Sequence, residues 1–102
     1  IFGFSFLDQN SDMVQGATID GQQPTFDSIS TGEYRVSRAL FFYVKKAHIG
    51  TVPGIEEFLN AFISKDTIGE DGYLLDRGLI PLGPDAYAEM AGAVRALTPL
   101  EL

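Results

Sequence analysis

Val36-Ser37-Arg38-Ala39-Leu40-Phe41-Phe42-Tyr43-Val44-Lys45-Lys46 is the stretch on which the fold of this chain turns. Ala39 to Val44 is apolar without alternation, the pattern of a strand covered on both faces. It is the longest apolar run in the sequence, and it falls far short of the roughly 20 residues that a membrane-spanning helix requires. A strand buried on both sides belongs in the middle of a layered α/β structure, so this stretch predicts a central strand and asks its neighbours for two layers of cover.

Upstream, Ile1 to Phe6 is β-branched and aromatic and predicts a strand that the polar cluster Asp8 to Asp12 ends. Val14 to Ile19 predicts a second, short strand, closed by Asp20-Gly21, a pair that tolerates the left-handed conformation of tight turns. Pro24 to Ile29 predicts a short helix capped by Thr25 or its neighbours, with Phe26 and Ile29 on one side and Gly32 as its stop. Downstream, Pro53 suits a first helical turn, Glu56 and Glu57 suit the positive helix end, and Ile55, Phe58, Leu59, Phe62 and Ile63 recur at helical spacing. Gly69 to Gly72 and Arg77-Gly78 punctuate a loop. Pro84 then opens a last helix whose Tyr87, Met90, Val94 and Leu97 share a face, and Pro99 ends it.

The composition, 45% hydrophobic and 21% charged over 102 residues, is that of an ordinary globular domain, and its length allows one domain with a small core. A net charge of −7 repels a phosphate backbone, and the sequence presents no Lys/Arg stripe to offset it, so nucleic acid is not an expected partner. Without Cys there are no disulfides, thiolate zinc sites or thiol nucleophiles, and the redox compartment stays open. A chain that begins at Ile1 reads as one that has lost its natural start, which makes the lack of a signal peptide uninformative.

Several local patterns invite a site and are weak on inspection. Asp8-Gln9-Asn10-Ser11-Asp12 matches the opening of a calcium loop, but Met13 stands where the turn needs Gly and Ile19 where the loop needs a bidentate Glu. Gly3-Phe4-Ser5-Phe6-Leu7 begins like a nucleophile elbow and then places Leu7 at the second glycine, with His48 as the sole base available. Glu56/Glu57 and Glu70/Asp71 are paired carboxylates, the first better read as helix-end charge and the second as part of a Gly-flanked turn. No Gly-rich phosphate loop is present, and these residues imply no catalytic group, metal ligand or cofactor.

Three motifs taken in order resemble a known family. Tyr34-Arg35-Val36-Ser37-Arg38-Ala39-Leu40-Phe41-Phe42-Tyr43-Val44-Lys45-Lys46-Ala47-His48, then Val52-Pro53-Gly54-Ile55 with its helix, then Asp71-Gly72-Tyr73-Leu74-Leu75-Asp76-Arg77-Gly78-Leu79-Ile80-Pro81-Leu82, are similar to the C-terminal part of phosphate-binding proteins. These are the periplasmic or extracytoplasmic substrate-binding components of phosphate-specific ABC importers, and the likeness takes in Ile1-Phe2-Gly3-Phe4-Ser5 as well. The resemblance implies a fold class: α/β, the C-terminal part of a two-lobed periplasmic-binding-protein (type II) fold, with few strands and flanking helices. In that arrangement residues 1–34 end the second lobe, 35–46 form a crossover strand with Ser37 and Arg38 at the hinge, and 47–102 complete the first lobe with helices.

The same resemblance implies that the intact protein captures inorganic phosphate and delivers it to the membrane subunits of the importer, without a metal. The family holds its anion through backbone N–H groups at helix N-termini, hydroxyls, an Arg and a carboxylate, which an acidic protein can supply locally. Those ligand residues fall upstream of the matched motifs, so ligand-binding positions are expected to be none within this stretch, whose contribution is hinge and scaffold. Capture of another oxyanion, an interaction or adhesion domain on the same fold, and a small enzyme remain as alternatives. Since Ala39 to Val44 asks for more cover than the remaining residues supply, the chain alone is expected to self-associate.

Overall fold

The computed structural model of the chain describes residues 2–101; Ile1, the first residue of the expected opening strand, and residue 102 lie outside them. Five α-helices follow one another: α1 (Phe4–Gln9), α2 (Phe26–Ser30), α3 (Ile55–Phe62), α4 (Lys65–Ile68) and α5 (Pro84–Arg95). Single 3-10 turns stand at Lys46–His48 and Leu75–Arg77. Among the described residues there is no sheet, only isolated bridges between Ile19 and Gln22 and between Ile49 and Val52.

This overturns the α/β expectation and, with it, the two-lobed periplasmic-binding-protein architecture for this chain. The opening strand is instead the helix α1, entered through an extended Gly3, and Phe2 just before it folds back so that its ring stacks on Phe6 with centroids 4.6 Å apart. Along a strand the two rings would stand about 13 Å apart. The second candidate, Val14 to Ile19, stays irregular and pairs only Ile19 with Gln22, across a turn in which Asp20 and Gly21 both take positive φ, 50° and 78°. That turn is the one Asp-Gly favours, but it closes a single rung. A strand is stable only within a ladder, and with both upstream candidates spent otherwise, Ser37 to Lys45 runs without regular secondary structure.

The helices expected from pattern and capping are present. Thr25 Oγ1 accepts the Ser28 N–H at 3.2 Å while Ser28 Oγ accepts the Thr25 N–H at 3.0 Å, a reciprocal cap on α2, and Gly32 turns the chain away at φ 80°. In α3, Glu56 and Glu57 occupy the first turn after Gly54, which takes φ 87°. On α5, Tyr87, Met90 and Val94 are half-buried and Ala91 is buried; the helix ends at Arg95, short of the expected Leu97, which is half-buried beyond it at φ 53°.

The core sits where α3 meets α5. Leu59, Ile63 and Ala91 are its buried apolar side chains, the Tyr87 hydroxyl donates to the Ile63 carbonyl at 2.6 Å, and Thr67 Oγ1 donates to the Ala61 carbonyl at 2.8 Å. A separate small anchor forms around Tyr34, whose N–H donates to the Ser28 carbonyl at 2.8 Å and whose hydroxyl donates to the Ala17 carbonyl at 2.9 Å. The accessible surface is 8099 Å², against about 5,700 Å² for a folded monomer of this mass. The radius of gyration is 16.0 Å, against about 13 Å for a compact chain of this length. Some 2,400 Å² more than usual therefore faces water.

One glycine ties the two ends of the chain together. Gly78 follows the turn Leu75–Arg77 at φ 91°, and a Cβ there would overlap the Ser5 side chain of α1. Gly78→Ala thus combines a left-handed non-glycine with an overlap and is expected to lower stability by about 2 to 4 kcal/mol in urea unfolding. An unchanged midpoint would contradict the contact between α1 and this turn.

Candidate functional site

Beyond Tyr34 the chain leaves the body of the protein. Ser37 Oγ donates back to the Tyr34 carbonyl at 2.7 Å, and the next backbone group to be engaged is the Lys45 carbonyl, which accepts the His48 N–H at 2.9 Å. Among the described residues, no backbone N–H or C=O from Val36 to Val44 is hydrogen-bonded to another protein group. Side chains alternate along this stretch as on a strand. Phe42 turns to α3, its ring 4.8 Å from Phe62 and 5.9 Å from Phe58, while Phe41 and Tyr43 stack on each other at 6.0 Å. The result is a strand-like ribbon held to α3 by one ring, with Leu40 77%, Phe41 64% and Tyr43 67% exposed.

Charge concentrates on the same ribbon. Arg35, Arg38, Lys45 and Lys46 are four of the seven Lys and Arg residues, and no Asp or Glu occurs between Tyr34 and Ile55. The rest of the sequence sets 14 acidic groups against Lys65, Arg77 and Arg95. The expectation that no basic stretch offsets the acidic average is therefore corrected: a net charge of −7 averages over a local cationic segment. The gap of carboxylates from Tyr34 to Ile55 was the signal that could have shown it. Among the described residues the single ion pair is Arg35 Nε with Asp20 Oδ2 at 3.8 Å, and both side chains are well exposed, so the contact holds the segment weakly.

The other sequence candidates do not assemble into sites. Asp8 and Gln9 are wound into α1 and Asn10 Nδ2 donates to the Phe6 carbonyl at 2.9 Å, so the calcium-like run is committed to ending a helix. Among the described residues no three His, Cys, Asp or Glu side chains gather as a metal would need. Ser5 lies inside α1 and not at a strand-to-helix corner, and His48 is exposed in its 3-10 turn with no hydrogen bond to Ser5. Glu56 and Glu57 both stand in the first turn of α3. Glu70 lines a recess of about 270 Å³ between α2 and the start of α5, with Phe26, Ser30, Leu75 and Leu82. That recess is smaller than a typical ligand pocket, and its charged group is a carboxylate, which repels an anion. Ser37 and Arg38 are placed at the front of the exposed ribbon.

No protein-family model, curated protein or solved structure matches the chain.

Proposed function

We propose that this chain is the scaffold part of an extracytoplasmic binding protein that captures inorganic phosphate and passes it to the membrane subunits of an ABC importer. What supports the reading is the succession of three motifs, at 34–48, 52–55 and 71–82, that resemble the phosphate-binding family. The chain acts by binding and not by catalysis: among the described residues one recess carries Glu70 and another sets Arg95 with Glu56, so neither offers an anion an uncompensated cation, and the ribbon that carries Arg38, Lys45 and Lys46 is an open surface. Ser37 and Arg38, at the end of that ribbon next to Tyr34, are the positions where backbone change on ligand capture is absorbed. An interaction module is the second reading, favoured by the exposure of Leu40, Phe41 and Tyr43.

Titration calorimetry with inorganic phosphate separates them. The 102-residue chain alone gives no saturable heat, and a longer chain that includes the upstream coding sequence binds phosphate saturably. Saturable binding by the 102 residues would remove the scaffold role. No phosphate binding by the longer chain would remove the phosphate reading, and sulfate binding in its place would reassign the oxyanion.

A further inference from the structure

We propose that Val36 to Lys46 is a docking strand for a second extended peptide, apolar at its centre and carrying Asp or Glu at both ends. Among the described residues the backbone groups from Val36 to Val44 have no protein partner, which leaves a ready template for an added strand. The side chains alternate as pairing requires, with Phe42 on α3 and Phe41 and Tyr43 on the opposite side. Leu40, Phe41 and Tyr43 form an apolar centre, and Arg38 precedes it while Lys45 and Lys46 follow it. None of these three cations has an ion pair among the described residues.

Charge complementarity selects the occupant. Two copies of the segment paired antiparallel would bring Arg38 of one to the end where Lys45 and Lys46 of the other lie, a repulsive arrangement that disfavours the chain as its own best partner. An anionic membrane would meet the three cations but also the surplus of carboxylates on the rest of the chain, and it would offer no ladder to the unpaired amides. An acid-ended strand satisfies the backbone, the apolar centre and the cations together. The inference goes beyond phosphate capture and does not rest on it.

The test is fluorescence anisotropy with labelled peptides as long as the segment, each with an alternating Val/Thr centre. One ends in paired Asp residues, one in paired Lys residues, and one is the Asp-ended peptide N-methylated at alternate positions on one edge. With each paired cation giving about a two- to threefold gain, the Asp-ended peptide binds about tenfold tighter than the Lys-ended one. N-methylation abolishes binding. Arg38→Glu combined with Lys45→Glu and Lys46→Glu, at three exposed positions, inverts the preference toward the Lys-ended peptide. Equal affinity for the two peptides, indifference to N-methylation, or binding only to phosphatidylserine vesicles would each overturn the proposal.

Discussion

Size exclusion coupled to light scattering, at tens of micromolar chain, yields a mass above the 11.1 kDa of one copy. The driving force is the exposed ribbon: Leu40, Phe41 and Tyr43 each return roughly 1.5 to 3 kcal/mol when buried, so two copies covering one another gain about 9 to 18 kcal/mol. Association itself costs an estimated 4 to 15 kcal/mol, which offsets much of this gain, so the dimer is weak and the mass rises with chain concentration. Salt gives a second readout. Because the ribbons bring like charges together, raising ionic strength screens Arg38, Lys45 and Lys46 and strengthens self-association, the reverse of what an acid–base contact between copies would do. The acid-ended peptide competes and returns the chain to monomer. Leu40→Asp with Tyr43→Asp also gives a monomer, without loss of helix by circular dichroism. A monomer mass independent of concentration in the unmodified chain would show that it tolerates or covers its own apolar ribbon.

Ile63→Ala has the largest expected effect on folding. Ile63 is 4% exposed at the end of α3, and its carbonyl receives the Tyr87 hydroxyl from α5, so one residue joins both helices of the small core by packing and by hydrogen bonding. Truncation of a buried Ile costs about 2 to 5 kcal/mol. In a chain with so few buried apolar side chains that is a large share of a total of at most about 5 to 15 kcal/mol. Thermal denaturation of the variant should show loss of the cooperative transition, or a midpoint lowered by about 10 °C or more. Leu40→Ala, on the exposed ribbon, should leave the monomer's stability within about 0.5 kcal/mol of the parent's. Comparable losses at both positions would mean that the ribbon belongs to the core.

Which elements were legible in the sequence follows from how local their causes are. The helix Ile55–Phe62 is written in the spacing of Ile55, Phe58, Leu59 and Phe62 and in the acidic first turn, and the Thr25 cap and Asp20-Gly21 turn are settled within a few residues. Ala39 to Val44 depended on something non-local, the supply of neighbouring strands. Its apolar run reports that both faces favour cover, and the same run is equally compatible with a ribbon whose cover comes from elsewhere. Phe2 to Phe6 failed for a related reason: an aromatic run serves a strand only where a ladder exists, and without one Phe4 onward winds into a helix on which Phe2 folds back. At the candidate site, the apolar centre was evident and its cationic ends were hidden by averaging charge over the whole chain. Tyr34 gave no warning, because its role is set by carbonyls at Ala17 and Ser28 that only the fold brings near.

Hydrogen exchange read residue by residue, at a dilution where the chain is monomeric, tests the central claim most directly. Amides from Val36 to Val44 should exchange at nearly the rate of an unfolded peptide while those of Leu59 to Ile63 are protected, and adding the Asp-ended peptide should slow the ribbon amides in an alternating pattern, since an added strand pairs every second one. Protection of Val36 to Val44 in the free monomer, equal to that of α3, would contradict the account, because it would show that the segment is already paired within the chain.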